Sequence, residues 1–365
     1  MTDALARLRR ENIPCLLCSY SSLDRFFRVR GPGPVFVATD SSIVSLAKLF
    51  DDIQFPGLPL EDAAVLDGGT WLVFRCMDSL ARPSASPFTV LSLQYDPARD
   101  TFMDRLGVYP ELRADGLTWV PDAHPSWFAL CEAAKLVSRY HYSSDGLAFG
   151  WERGGGLPPV SYQKDLLAFL LTSADPAKGL ALLESAGFVA EAWPELATMS
   201  GIPHVKDYHP EGNVWEHTLA TFAHRKKPDL ILSLGLLLHD MGKPDAEGAG
   251  EKRFDGHSEI GARLASRFLR RLGFSEQTVA DVEYLVRFHM MPAALRSLPP
   301  FRTDPILSSP LFPQLLEVYR ADCSSSYMDE ETYYEACRFY RAWLRNRSNP
   351  YIQEKMKKQR AARRR

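Results

Sequence analysis

Two side chains that carry acid–base chemistry, His239 and Asp240, stand together at the end of an apolar run, Leu236-Leu237-Leu238-His239-Asp240-Met241-Gly242-Lys243-Pro244. A run this apolar reads as a buried helix. A carboxylate at its end is costly to bury unless something satisfies it. A divalent cation satisfies an imidazole and a carboxylate at once. More groups of the same kind lie on either side. His217 sits in Asn213-Val214-Trp215-Glu216-His217-Thr218-Leu219, and His257 in Gly256-His257-Ser258-Glu259. His289 ends Val286-Arg287-Phe288-His289, and Asp322 ends Tyr319-Arg320-Ala321-Asp322. Imidazole nitrogens and carboxylate oxygens, with no thiolate, suit Mn, Fe, Co, Ni, Zn or Mg. Lys243 is placed either to steady a phosphate as a point charge or to close a helix as a C-terminal cation. His224, seven residues after His217, is expected on the solvent side and outside the set.

Each candidate lies in or beside a segment with helical spacing. Apolar residues recur at three and four from Val279 to Val286 and from Leu311 to Val318. Ligands carried on separate helices can converge in the core of a bundle. The first hundred residues read differently, as a small α/β unit. Ala4 to Glu11 is expected to be a helix and Ile13 to Cys18 a strand. Pro34 to Ala38 reads as a second strand and Ser41 to Leu49 as a helix. Trp71 to Cys76 and Phe88 to Tyr95 are strand-like, the latter alternating partly at period two. From about residue 105 the pattern turns helical, with amphipathic segments at Ser126–Arg139, Gln163–Leu171 and Gly179–Ala186. Arg153-Gly154-Gly155-Gly156-Leu157-Pro158-Pro159 reads as a flexible connector, and Pro203 to Gly212 as a polar hinge. The three glycines follow no strand and meet no Gly-Lys-Ser, so they form no phosphate loop.

The composition narrows the class. A chain of 365 residues is long enough for two or three domains. A net charge of -2 does not by itself mark a nucleic-acid binder. The C-terminal end is an exception, with seven Lys or Arg and no acid between Lys355 and Arg365. That run suits either a solvated tail or a salt-sensitive contact with a phosphate backbone. The segment Met1 to Glu11 is charged and reads as no signal peptide. No stretch of about twenty apolar residues exists, so no membrane span is expected. Six cysteines show no disulfide framework, and Cys15-Leu16-Leu17-Cys18 lacks a partner pair for zinc. A reduced, cytoplasmic protein fits these features.

The residues His217, His239-Asp240 and Asp322 resemble the pattern of HD-domain metal-dependent phosphohydrolases: a first His, a His-Asp doublet and a final Asp. The resemblance covers about residues 205–325. It implies that His217, His239, Asp240 and Asp322 hold one divalent ion, and that His257 and His289 serve a second ion or the substrate phosphate. It implies hydrolysis of a phosphomonoester or phosphodiester, with Asp240 and Lys243 as catalytic residues. It makes nucleotide phosphoesters or RNA 3′-ends the expected substrates.

The whole order is similar to the CCA-adding enzyme and poly(A) polymerase family fused to an HD domain. The supporting stretches are Val35 to Asp40, Phe88 to Asp96, Glu132-Ala133-Ala134-Lys135-Leu136, and His209 to Leu219. This resemblance implies an α+β protein in which an α/β nucleotidyltransferase-like head precedes an all-α neck and body and an all-α HD domain. The expected bounds are 1–105 for the head, 106–204 for the neck and body, 205–325 for the HD domain, and 326–365 for a C-terminal helix and basic tail. Nucleotidyl transfer needs carboxylates that hold two metals. Here the family's Asp-x-Asp falls on Pro34 and Phe36, and its third carboxylate on the apolar strand Trp71 to Phe74. The Gly-Gly falls within Cys18 to Ser22, and the Arg-Arg-Asp reads Ala85-Ser86-Pro87. The head is therefore expected to be transfer-dead, with Asp40, Asp51 and Asp52 structural. It is either a scaffold that binds RNA or a nucleotide through Arg25, Arg28 and Arg30, or a packing partner. The rival readings are an active tRNA nucleotidyltransferase, for which tRNA is the partner, a non-catalytic RNA-binding protein, and a nucleotide sensor.

Overall fold

The computed structural model describes residues 3–31, 33–59, 61–83, 86–120, 126–145, 156–202, 212–246, 254–326 and 330–348. Residues 203–211 of the expected hinge, 153–155 of the connector and the whole tail 355–365 lie outside these. The chain divides into two compact units, Met1–Ala192 and Trp193–Arg365.

The first unit is built on a six-stranded mixed sheet. Its strands are β1 (Leu16–Leu17), β2 (Val35–Thr39), β3 (Ala63–Asp67), β4 (Thr70–Cys76), β5 (Gln94–Asp96) and β6 (Thr101–Met103), in the order β3-β4-β2-β1-β5-β6. Only β2 and β4 run parallel, with Val35 opposite Leu72 and Phe36 opposite Val73. Helices α1 (Asp3–Arg10), α2 (Ser19–Phe27) and α3 (Ile43–Leu49) complete the head. Leu5, Leu8, Leu46 and Phe50 pack with Val37, Val65, Leu72 and Phe74 in one core. The hairpin β3–β4 turns on Gly68 and Gly69, both at positive φ. That is the conformation a two-residue turn needs to match strand twist.

Two expectations for the head are corrected. Phe88 to Tyr95 is not a strand: Thr89–Ser92 winds a 3-10 turn and only Gln94–Asp96 pairs. Every residue from Phe88 to Leu93 is buried, so alternation in this run carried no information about an inner and an outer face. Ser22 and Ser92 Oγ donate to the carbonyls of Leu93 and Thr89 at 2.5 and 2.6 Å, which satisfies the irregular backbone. The strand expected over Ile13 to Cys18 shrinks to Leu16–Leu17, because Pro14 offers no ladder donor. Helix α2 and strands β3 and β6 had no counterpart in the sequence reading.

Helices α4 (Trp127–Arg139), α5 (Val160–Leu171), α6 (Pro176–Ser185) and α7 (Phe188–Ala192) follow. All but one of the α4 residues are buried, so its charges must pair. Lys135 Nζ donates to Glu132 Oε1 at 2.8 Å, and Tyr20 Oη donates to Glu132 Oε2 at 2.7 Å. Arg139 forks onto Asp24 at 2.7 and 2.6 Å.

The second unit is helical. It comprises α8 (Pro194–Ala197), α9 (Val214–Thr221), α10 (Leu230–Leu238), α11 (His257–Arg271), α12 (Glu276–Phe288), α13 (Met291–Ala294), α14 (Pro300–Leu307), α15 (Phe312–Ser324) and α16 (Glu331–Ser348). Helix α10 is the apolar centre and packs on α9, α12 and α15. Gly235 makes this possible. A Cβ there would meet Leu285 Cδ1 at 2.9 Å and Val318 Cγ2 at 3.2 Å, so the absence of a side chain lets α12 and α15 close in. Among the described residues no helix is long and apolar enough to cross a membrane.

Candidate metal centre

Five helices supply the candidate ligands, and local sequence sets where each helix begins or ends. Asn213 caps α9 in a capping box: its Oδ1 accepts from Glu216 N at 2.9 Å, and Glu216 Oε2 accepts from Asn213 N at 3.1 Å. This holds His217 in the first turn. Asp229 caps α10, accepting from Leu232 N at 2.8 Å, and after nine helical residues the helix stops at His239. Ser275 caps α12, which stops at His289. His257 opens α11, and Asp322 lies near the end of α15.

The helix ends also orient the imidazoles. A helix C-terminus leaves carbonyls without intrahelical donors. His239 Nδ1 donates to Leu236 O at 2.8 Å, and His289 Nδ1 to Val286 O at 2.7 Å. His257 Nδ1 donates to Phe254 O at 2.8 Å from the loop before α11. With each Nδ1 proton committed to the backbone, each Nε2 presents a lone pair inward.

Those lone pairs converge on Asp240. Its Oδ2 lies 3.3 Å from His239 Nε2 and 3.9 Å from His217 Nε2. Its Oδ1 lies 3.5 Å from His257 Nε2 and 3.8 Å from His289 Nε2. Two triads therefore share one carboxylate, His217-His239-Asp240 and Asp240-His257-His289, and each can hold a metal ion. Asp322 Oδ1 extends the first, 3.0 Å from His217 Nε2 and 3.8 Å from His239 Nε2. His217, His239, Asp240 and His289 are at most 2% exposed.

The donor set fits a divalent cation on two counts. His239 Nε2 is buried and finds no hydrogen-bond donor. His257 Nε2 and His289 Nε2 face each other at 3.1 Å, and two lone pairs at that distance need a cation or a proton between them. Charge follows the same logic. Burial alone would lower the His239 pKa, but Asp240 and Asp322 outweigh it and push it up to about 9, which shows how strongly this corner favours positive charge. His289 is driven down to about 3 by burial and by the neighbouring His239 and His257, which keeps it neutral. Burial would raise Asp240 and Asp322, but the imidazoles around both, with Lys243 beside Asp240, hold both well below the usual carboxylate range. Lys243 Nζ sits 2.5 Å from Asp240 Oδ2 and is 9% exposed, so it is turned into the site rather than capping a helix in solvent.

All six expected ligands and Lys243 thus meet in one place. His224 ends a 3-10 turn, half-buried, and belongs to neither triad. Two further residues shape the site. Gly242 touches the start of α11 so closely that a Cβ would run into the His257 carbonyl and the Gly261 amide. Phe254 carries a positive φ of 64° and supplies the carbonyl that orients His257. The signal for the first was the glycine two residues after the doublet; the second left none.

In the head, the positions expected to match the family's carboxylates fall on the neighbouring parallel strands β2 and β4 and on Pro34 just before β2, which bear no acidic residue. Ser19, in the place of the expected Gly-Gly, still has a φ of 51°, the left-handed region that glycine favours.

Residues 214–322 match the family model of the HD domain. The chain is 37% identical over 180 residues to the CC-adding tRNA nucleotidyltransferase of Thermus thermophilus, which is 46% of this chain and 39% of that protein. It is 32% identical over 149 residues to the A-adding tRNA nucleotidyltransferase of Deinococcus radiodurans, 38% of this chain and 34% of that one. The matched parts thus span under half the length of these relatives. Among solved structures, a tRNA-processing enzyme in its apo form I is similar over 98% of this chain and 95% of its own, with a TM-score of 0.53 and 13% identity. The Bacillus stearothermophilus CCA-adding enzyme in complex with CTP is similar over 93% and 80%, with a TM-score of 0.50 and 16% identity. The chain carries an HD domain at residues 214–322, on a frame with the fold of the CCA-adding enzymes and with tRNA nucleotidyltransferases as relatives.

Proposed function

We propose that this protein is a metal-dependent phosphohydrolase acting on nucleotide or RNA-end phosphoesters, and that its head has lost nucleotidyl transfer. One observation carries the reading: the two oxygens of Asp240 face two separate imidazole pairs. His217, His239, Asp240 and Asp322 would hold one ion, and Asp240, His257 and His289 a second. A bound divalent ion supplies Lewis acidity and makes water a competent nucleophile at neutral pH. The chain's own groups do the rest. Backbone carbonyls hold the rings of His239, His257 and His289 with Nε2 turned inward. Asp240 and Asp322 stay ionised. Lys243 offers a point charge to phosphate oxygens at the edge of the buried cluster. The proposed division is a transfer-dead head at 1–105, a neck and body at 106–204, the HD domain at 205–325, and a helix and basic tail at 326–365.

The second reading is tRNA nucleotidyl transfer, favoured by the names of the relatives. The carboxylate-free strands β2 and β4 weigh against it, because phosphoryl chemistry of that kind needs paired carboxylates to seat its metals. One experiment separates the two. Manganese-loaded protein is assayed with 2′,3′-cyclic nucleotides and 3′-phosphorylated RNA, and in parallel with tRNA and labelled CTP or ATP. Phosphate ester cleavage without label incorporation supports hydrolysis. Robust incorporation without cleavage reverses the assignment.

A further inference from the structure

Helix α16 has two faces. One docks onto the rest of the helical unit. Tyr319 Oη and Thr332 Oγ1 share a hydrogen bond at 2.8 Å, Ala336 is buried, and Tyr340 packs on Phe312 with ring centroids 4.6 Å apart. Trp343 Nε1 donates to Asp304 Oδ1 at 2.9 Å. The spacing of 332, 336, 340 and 343 is that of a single helical stripe. The opposite stripe is read from the same periodicity: Tyr334, Arg338, Arg341 and Arg345, all exposed. Arg338 pairs with Glu331 at 2.5 Å. Arg341 and Arg345 are exposed and make no ion pair among the described residues.

We propose that this outer stripe of α16 is a docking surface for the phosphate backbone of RNA. Charge is the first argument. Residues 336–365 hold eleven Lys or Arg and one acid, Glu354, in a chain whose net charge is -2. The remainder is therefore strongly acidic, and positive charge is collected at this end. Residue type is the second. Every cation within α16 is arginine, whose planar fork matches phosphate oxygens in pairs, where lysine offers only a point charge. Tyr334, half-exposed at the head of the stripe, adds a ring on which a base can stack irrespective of its identity. The acids of α16, Glu331 and Glu335, lie in its first five residues and none accompanies Arg341 and Arg345, whereas α11 and α12 set Glu259, Glu276 and Glu283 among their cations. The choice of RNA over other polyanions rests on the phosphohydrolase reading above, since a domain that cleaves RNA-end phosphoesters must hold the strand.

The test uses the full chain and the double variant R341E/R345E. Binding of a fluorescent hairpin RNA with a single-stranded 3′ end is measured by anisotropy at several salt concentrations. Manganese-dependent hydrolysis of bis(p-nitrophenyl) phosphate is measured alongside. The expected result is an affinity loss of about tenfold or more and a salt slope shallower by about two, with hydrolysis of the small ester unchanged. Unaltered RNA affinity overturns the proposal. So does displacement of the RNA by polyglutamate as readily as by unlabelled RNA, which would assign the stripe to an acidic protein. Arginine-dependent RNA binding in a protein that cleaves no phosphoester would leave this surface standing and remove the hydrolase reading. If charge reversal perturbs folding, R341Q/R345Q reads the same two quantities with a smaller expected loss.

Discussion

His239 Nε2 and Asp240 Oδ2 face each other at 3.3 Å in a fully buried pocket, and no hydrogen bond joins the lone pair on the ring to the carboxylate. The ring has already committed its Nδ1 proton to Leu236 O. Such a pair is stable only with positive charge between the two groups. A proton meets that need in part; a divalent ion, reached also by His217 and Asp322, meets it fully.

The shared carboxylate predicts unequal losses. Asp240→Ala should empty both triads, whereas His257→Ala should empty one and leave His217, His239 and Asp322 in place. Metal content per chain by elemental analysis reads this directly. His239→Ala should lower phosphoester cleavage by at least about 100-fold. Equal metal content in wild type and Asp240→Ala would remove the site.

Metal removal should destabilise the helical unit. A ligand that binds only the folded state at 100 times its Kd stabilises by about 2.7 kcal/mol. For a unit of this size that corresponds to a drop in Tm of roughly 5–10 °C on chelation. Calorimetry before and after EDTA, then with manganese restored, checks it; an unchanged midpoint contradicts tight binding.

Gly242→Ala should damage the second triad without touching a ligand. The added methyl meets backbone of His257 and Gly261, and backbone cannot swing aside as a side chain does. Overpacking of this kind costs about 1–3 kcal/mol or more. Loss of about one ion per chain together with a lowered Tm is the expected signature. A variant with wild-type metal content and stability would show that the helix start adjusts freely.

The head should show its own pH dependence through Glu61. Burial raises its carboxyl to about 6, against partial relief from Lys135. A raised folded-state value means that the proton is bound more tightly in the folded protein. The associated stability is present below about pH 4.5 and is lost as pH rises through about 6. Its size is at most about 2 kcal/mol. Glu61→Gln should flatten the stability profile of the full chain across that window in urea titrations, and an unchanged profile would count against the shift.

Much of the site was legible because its residues announce themselves chemically. A His-Asp doublet closing an apolar helix has few explanations, and Asn213, Asp229 and Ser275 mark helix starts by their capping chemistry. The head was read less well. Gly68-Gly69 marks a tight hairpin, yet β3 was missed because Ala63-Ala64-Val65-Leu66-Asp67 has no alternation. Phe88 to Leu93 was misread because burial on every side erases the difference between strand and turn. The pairing of Arg139 with Asp24, 115 residues apart, left no local trace at all.

Sequence alone determined which groups are able to ligate a cation and which helices bear them, because ligand type, capping and apolar periodicity are local properties. The tertiary structure decided that Asp240 divides its two oxygens between two imidazole pairs, that Gly242 admits α11 to the site, and that α16 turns its arginines outward. Those relations depend on distances between segments up to about a hundred residues apart, and helix packing, rather than neighbouring residues, sets such distances.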